Sequence, residues 1–173
     1  MMSTTSKAVW DTMATASAKH GETNDCTVKA LTAATGLTYD ECHAALAKTG
    51  RKNRKGCHWF IQGPKAAEAL GFKMRRMDRN EYSAKTMITA ERDRKLRTGN
   101  FVCQVSRHVA AVIDGEVIDW SQGKRKRIQD VYECTPIPGF MAPIAPNAGP
   151  LPTGSANWQS FRKYKKADNL ELF

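Results

Sequence analysis

Residues 108–120, HVAAVIDGEVIDW, carry the clearest structural pattern in this sequence. Two runs of Val, Ile and Ala flank the dipeptide Asp114-Gly115, which is the strongest short-range pattern for a two-residue β-hairpin turn. With that turn, Ile113 pairs with Glu116 and the pairing continues outward along both strands. The stretch therefore predicts two antiparallel strands, one on each side of the turn.

Two polar side chains stand out in this apolar hairpin. In the predicted register Ala110 lies opposite Asp119, so His108 and Asp119 share one face of the sheet. They are diagonal neighbours about 7–8 Å apart between backbones, within reach of an imidazole and a carboxylate. A carboxylate behind a histidine holds the ring in one tautomer, as a general base requires. The alternative is a structural His–Asp pair at a sheet end, and in either case Trp120 is expected to shield the pair from water.

A cysteine stands at the start of a predicted helix, in NDCTVKAL, residues 24–31. If Asn24 or Asp25 caps this helix, Cys26 lies in its first turn, where unpaired backbone N–H groups favour a thiolate. The thiolate is the form in which a cysteine acts as a nucleophile. The alternative is that Cys26 is a small buried apolar residue, as free cysteines often are.

Helical patterns come first in the chain and strand patterns follow. Composition and helix-ending glycines, with a T-x-x-E capping box at Thr38, predict helices over residues 26–34, 38–50, 59–70 and 85–96. Residues 72–77, 101–106 and 127–134 have strand composition. N-terminal helices packed on a small antiparallel sheet define an α+β fold.

The chain divides into three predicted parts. Residues 1–21 form a helical or loose lead-in, and residues 22–134 form one folded domain. Residues 135–173 are rich in Pro, Gly and Ala and predict an extended arm that ends in a basic-aromatic segment. That segment is expected to dock on the domain or on an assembly partner, and stacking on single-stranded nucleic acid is the alternative.

These motifs resemble the papain-like cysteine peptidase superfamily. The Asp-Cys dipeptide and HVAAV resemble bacteriocin-processing peptidases and NlpC-type cell-wall endopeptidases. NDCTVKALTAATGLTYDE, GRKNRKG and SRHVAAVIDGEVIDW are similar to small uncharacterised papain-like proteins of bacteria and their phages. The resemblance covers residues 22–122 and implies a papain-like catalytic domain. It also implies that Cys26 is the nucleophile, His108 the general base and then acid, and Asp119 the residue that orients the ring.

One position departs from the family pattern. Papain-like enzymes usually place an oxyanion-stabilising glutamine six residues before the nucleophile, where this sequence has His20. We therefore expect the donors to come from His20, from Asn24 or from the backbone N–H of Cys26. Loss of one such donor costs about 10²–10³ in rate, so a catalytically weak or inactive protein is an open alternative.

The chain carries 27 Lys and Arg against 17 Asp and Glu, a net charge of +10. Clustered basic residues are an electrostatic footprint for a polyanion, here nucleic acid or an acidic protein. A solvated basic surface without a dedicated partner is the alternative. The residues predicted to bind a polyanion are Arg51, Lys52, Arg54, Lys55, Lys124, Arg125, Lys126 and Arg127.

Several classes of protein are excluded or disfavoured. No apolar run approaches the ~18 residues of a membrane span, so no membrane contact is expected. The N-terminus lacks the apolar core of a secretory signal, and the five cysteines include no CxxC pair, so we expect the cytoplasm, of a bacterium or a phage host, with a virion as the alternative. Cys42-His43 and Cys57-His58 lack zinc-ligand spacing, so no metal or other cofactor is expected.

Three functions follow from these features. The first is a hydrolase that cleaves a peptide or isopeptide bond of a protein or peptide substrate through a thioester on Cys26. The second is a binding or structural protein on the same fold, in a phage virion or with nucleic acid. The third is a peptidoglycan endopeptidase, which ranks below protein substrates because the chain has no wall-binding repeat. Cys57 is an alternative nucleophile, although a structural role is favoured for it.

Overall fold

The computed structural model describes residues 4–119 and 125–140. The helices are α1 (Thr4–Lys19), α2 (Cys26–Thr35), α3 (Tyr39–Lys48), α4 (Trp59–Ala69) and α5 (Met87–Ala90). The strands are β1 (Phe72–Arg76), β2 (Asn100–Val105), β3 (His108–Ile113), β4 (Glu116–Ile118) and β5 (Ile128–Pro136). They form one antiparallel sheet in the order β1-β5-β2-β3-β4. Helices with an antiparallel sheet confirm the predicted α+β class.

The hairpin between β3 and β4 forms in the predicted register. Ile113 pairs with Glu116, and the turn residues Asp114 and Gly115 have φ values of 46° and 79°. A type I′ turn needs positive φ at both central residues, which Asp and Gly tolerate better than most residues. The two residues that the sequence singled out therefore set the pairing of these strands.

Both faces of the sheet are covered. One face packs against α2, α3 and α4 through buried side chains that include Leu31, Leu46, Trp59, Val102 and Val109. The other face is covered by residues 77–96, with a core that includes Met87, Leu96, Phe101, Val112 and Val131. Each such side chain stabilises the fold by about 1.5–3 kcal/mol when fully buried. This packing holds α2 on the sheet beside β3.

The predicted helix over residues 85–96 is wrong beyond its first turn, because only α5 is helical there. The buried Asp93 carboxylate accepts hydrogen bonds from the backbone N–H groups of Ser83 and Ala84, both at 2.6 Å. It also accepts from the backbone N–H of Lys95 at 2.8 Å. An aspartate that bonds to nearby backbone competes with helical hydrogen bonding, so this segment turns back instead of continuing as a helix.

The N-terminal lead-in is a helix that docks on the domain. α1 places Met13 in the core, where it is 2% exposed, and Val9 and Trp10 pack partly against the same core. At 16 residues α1 is the longest helix in the described ranges, and none of the helices described there is long and apolar enough to cross a bilayer.

The domain extends slightly past the predicted boundary at residue 134. β5 ends at Pro136, and the backbone N–H of Ile137 then donates to the carbonyl of Gly71 at 2.8 Å. Gly71 has a φ of 85°, and a Cβ there would lie 2.2 Å from the ring of Phe140. The chain is thus fixed to the domain as far as residue 140, and the rest of the predicted arm lies outside the described residues.

One buried ion pair joins the loop before α2 to the loop before α4. The fully buried Glu22 carboxylate accepts hydrogen bonds from the Arg51 guanidinium at 2.8 and 3.0 Å. It also accepts from the backbone N–H of Arg54 at 2.8 Å and lies 2.8 Å from His43 Nε2. Burial by itself raises the pKa of Glu22, but these hydrogen bonds outweigh burial and lower the pKa to about 2. The assignment of Arg51 to an exposed basic surface is wrong, because its side chain is buried in this pair.

Replacing Glu22 with Gln is expected to lower the free energy of unfolding by about 3–5 kcal/mol, because Arg51 then stays buried without its counter-charge. Urea denaturation at neutral pH measures the loss. Glu81→Gln is the matched control, since it removes a carboxylate from an exposed ion pair with Arg75 and should change stability much less. Equal losses in the two variants would contradict this account.

The pair of Glu22 and Arg51 also makes the stability of the fold depend on pH, and the pKa of Glu22 gives the direction. The pKa of Glu22 is about 2 in the folded protein, below its ordinary value of 4.5. Its contribution to stability is therefore present above pH 4.5 and is lost as the pH falls toward 2. The difference in stability between wild type and Glu22→Gln should shrink over that window.

Candidate active site

Cys26 is the first residue of α2 and is partly exposed. The preceding residue, Asp25, occupies the N-cap position, but its side chain does not cap the helix. Its carboxylate instead accepts from the Tyr39 hydroxyl at 2.7 Å and pairs with Lys29 at 2.9 Å. The prediction that Cys26 opens the helix is confirmed, and the backbone N–H groups of this first turn have no acceptor within the helix.

The backbone just before Cys26 is fixed by the buried ion pair. Arg51 donates to the carbonyl oxygen of Asn24 at 3.2 Å, while its other contacts go to Glu22. The side chain of Asn24 is exposed and faces the same cavities as Cys26. A side-chain amide therefore lines the same two cavities as the thiol.

His108 opens β3, directly after the two-residue turn that joins β2 to β3. Its Nε2 lies 2.9 Å from Oδ2 of Asp119, which is 2% exposed and immediately follows β4. The ring has only two nitrogens, so this contact leaves Nδ1 for any other partner. The hairpin thus brings His108 and Asp119 together as its register predicts.

The thiol of Cys26 is the second partner of the His108 ring. Burial by itself lowers the pKa of His108, but hydrogen bonds with Asp119 and then Cys26, and the charges of both groups, outweigh burial and raise the pKa to about 9. A ring held between a carboxylate and a thiol is charged at neutral pH and can donate a proton. The structure therefore brings together Cys26, His108 and Asp119, which are distant in sequence.

Two cavities meet at the thiol and the imidazole. The smaller has a volume of about 320 Å³ and the larger about 750 Å³. Both are lined by Asn24, Cys26, Arg107, His108 and Val109. The thiol and the imidazole thus line both cavities, and the two cavities together are called the cleft.

His20 is not at this site, contrary to expectation. Its Nε2 lies 2.6 Å from the Asp40 carboxylate, and its ring stacks on His43 with centroids 4.5 Å apart. His20 lines neither of the two cavities that contain the thiol. Trp120, predicted to shield the His–Asp pair, lies outside the described residues.

The predicted polyanion-binding residues separate into three groups. Arg51 is buried, and Lys124 lies outside the described residues. The others are exposed: Lys52, Arg54, Lys55, Arg125, Lys126 and Arg127. Among these, Lys52 and Lys55 line the larger cavity, so two of the basic residues between positions 51 and 55 belong to the cleft.

Two further residues line the larger cavity: Cys57, for which the sequence favoured a structural role, and Gln104, which the sequence did not identify. Cys57 is half-buried in the same cavity as Cys26, and burial raises the pKa of the Cys57 thiol. Gln104 also lines this cavity, and its Oε1 is buried without a hydrogen-bond partner among the described residues. A polar residue within the apolar strand FVCQVS was the only sequence feature that could have identified Gln104.

No group of three or more His, Cys, Asp or Glu side chains suited to a metal ion occurs in residues 4–119 and 125–140. No protein-family model matches the sequence, and no curated protein or solved structure matches it significantly. Function is therefore inferred from the geometry of the described residues.

Replacing Asp119 with Asn is expected to destabilise the protein most at low pH. The pKa of His108 is about 9 in the folded protein, above its ordinary 6.5, so stabilisation by the charged ring is fully present below pH 6.5 and is lost as the pH rises through 9. Urea denaturation at about pH 6 and pH 10 measures the difference between wild type and variant. Asp11→Asn, on the exposed face of α1, is the control, and a pH-independent difference for Asp119→Asn would contradict the pairing.

Proposed function

We propose that this protein is a papain-like cysteine hydrolase that cleaves a peptide or isopeptide bond through a thioester on Cys26. One observation carries the proposal: the His108 ring has the Asp119 carboxylate on Nε2 and the Cys26 thiol as its other partner. A base oriented by an acid and bonded to a nucleophile is the arrangement that activates a thiol for acyl transfer.

In the first half of the reaction the Cys26 thiolate attacks the carbonyl carbon of the scissile amide. The carbonyl oxygen becomes an oxyanion, which the backbone N–H of Cys26 and the side-chain amide of Asn24 stabilise as hydrogen-bond donors. The charged His108 ring then gives its proton to the amine nitrogen as the carbon–nitrogen bond breaks. The amine product leaves, and the acyl group remains on sulfur as a thioester.

In the second half water replaces the amine. Neutral His108 removes a proton from a water molecule, and the resulting hydroxide attacks the thioester carbon. The carbon–sulfur bond breaks, the acid product leaves, and the thiolate and charged ring are restored. The Asp119 carboxylate holds the ring in orientation and stabilises the charged imidazole.

Replacing Cys26 with Ala is expected to abolish both turnover of a peptide substrate and labelling of the active protein by iodoacetamide at short times. Cys57→Ala is the matched control, because it removes the other thiol of the same cavity, whose raised pKa makes it a poor nucleophile. Mass spectrometry of the labelled peptides and release of a fluorophore from a peptide amide measure the two effects.

The two variants together decide which thiol reacts. Turnover and labelling that survive in Cys26→Ala but vanish in Cys57→Ala would move the nucleophile to Cys57. Turnover that is absent from wild type with every peptide and isopeptide tested would contradict hydrolysis itself. In that case labelling of Cys26 would report only an accessible thiol.

A binding protein on the same fold is the second candidate. The net charge of +10 and the exposed basic side chains around residues 52–55 and 125–127 favour it. Binding of nucleic acid through these residues would weaken steeply as the salt concentration rises, because bound cations are released from the phosphates. The cytoplasm is the proposed site of action for either function, since it keeps free thiols reduced.

A further inference from the structure

The charged side chains that line the larger cavity are all positive. Three cationic side chains line it, Lys52, Lys55 and Arg107, and no aspartate or glutamate is among its described lining residues. None of the three is in an ion pair with another described residue. The smaller cavity differs, because its carboxylates are all engaged by neighbouring side chains. The larger cavity is therefore the part of the cleft that attracts an anion.

The same cavity presents apolar surface to solvent. Phe60 is 57% exposed and Ile61 is 46% exposed, and both lie in the first turn of α4. These are two of the three large apolar side chains that are exposed in the described part of the chain. Exposed apolar side chains that adjoin one cavity are typical of a surface that a ligand covers.

Arg107 connects the cations to the reacting groups. It precedes His108 in the turn between β2 and β3, with a φ of 57°, and it lines both cavities. Lys126 donates from Nζ to the carbonyl oxygen of Ser106 in the same turn at 3.2 Å. The basic segment 125–127 thus contacts the turn that carries Arg107.

We propose that the larger cavity selects a peptide substrate that has acidic residues next to a large apolar residue on one side of the scissile bond. The acidic side chains face Lys52, Lys55 and Arg107, and the apolar side chain covers Phe60 and Ile61. This inference rests on the proposed hydrolase for its catalytic meaning. It states what the site binds, so binding can be measured apart from cleavage.

A peptide fits these observations better than a nucleic acid. Non-specific binding of single strands uses a charged groove with successive aromatic side chains on which the bases stack. Ile61 cannot stack a base, and Phe60 is the one exposed large apolar aromatic among the described residues. The cations also converge on the cavity that contains the thiol, where an acyl substrate has to bind.

The test uses the full-length Cys26→Ala variant, which cannot turn over, and a fluorescent peptide with two Glu beside a Phe. Anisotropy at low salt should show that changing both Glu to Gln weakens binding about tenfold, as expected for two solvent-exposed charge pairs. Changing Phe to Ser should weaken binding by a similar factor, about tenfold, through lost apolar burial. Raising the salt concentration should weaken the Glu peptide and leave the Gln peptide nearly unchanged.

Matched charge variants locate the binding surface. Lys52→Glu with Lys55→Glu in the same background should abolish the preference for Glu over Gln. Lys65→Glu with Lys73→Glu makes the same change in net charge at exposed positions that line neither cavity, and should keep the preference. Equal affinity for the Glu and Gln peptides, or equal effects of the two double variants, would overturn the inference.

Three further outcomes distinguish this inference from a nucleic-acid surface and from the proposed hydrolase. Tight binding of single-stranded oligothymidylate that depends on Lys52 and Lys55, with no binding of the acidic peptide, would overturn it in favour of a nucleic-acid surface. In active wild-type protein, equal kcat/KM for the Glu and Gln peptides would overturn the selectivity and leave hydrolysis intact. Binding with the predicted preference but no turnover would support the surface and overturn the hydrolase.

Discussion

The buried pair of Glu22 and Arg51 is the constraint on which the cleft depends. The Arg51 guanidinium donates hydrogen bonds to the Glu22 carboxylate and to the carbonyl oxygen of Asn24, which lies two residues before the thiol. A buried ion pair gives little net stability over apolar residues of the same size. What this pair fixes is geometry, because five hydrogen-bonding contacts on one carboxylate and one guanidinium tie the two loops together.

The sheet supplies the other half of the site. β3 and its neighbours are buried on both faces, so the backbone that carries His108 and Asp119 is rigid. α2 packs on that sheet and brings its first residue, Cys26, close to the first residue of β3, His108, and both residues line the two cavities. Cys26 and His108 thus lie on a helix and a strand and Asp119 directly follows a strand, whereas the cations and the exposed apolar pair lie on a loop, a turn and the first turn of a helix. This division is common, since loops vary in sequence more freely than the scaffold beneath them.

Sequence patterns over a few residues predicted the turn and the helix cap that depend only on neighbouring residues. The turn at Asp114 set the hairpin register, and Thr38 formed its capping box with Glu41. Long-range contacts decided the rest. Residues 85–96 have helical composition, but the Asp93 carboxylate draws the backbone into a loop. Arg51 belongs to a basic run, but Glu22, 29 residues away, draws it into the interior.

The candidate site likewise has residues that the sequence identified and residues that it did not. The hairpin register and the helix start identified His108, Asp119 and Cys26 from sequence alone. No periodicity shows that Cys57 shares their cavity or that Phe60 faces it, because both depend on how the loop before α4 folds back on α2. The charge of the larger cavity was not predictable either, since basic clusters in a sequence do not show which cations line one cavity.

The candidate site depends on one imidazole that bridges the thiol and the buried carboxylate. Titration of the His108 ring by ¹⁵N NMR in wild type and in Cys26→Ala tests it most directly. We expect a pKa of about 9 for His108 in wild type and a lower pKa when the thiol is removed. A pKa near the ordinary 6.5 that does not change in Cys26→Ala would show that the thiol and the ring are not in contact.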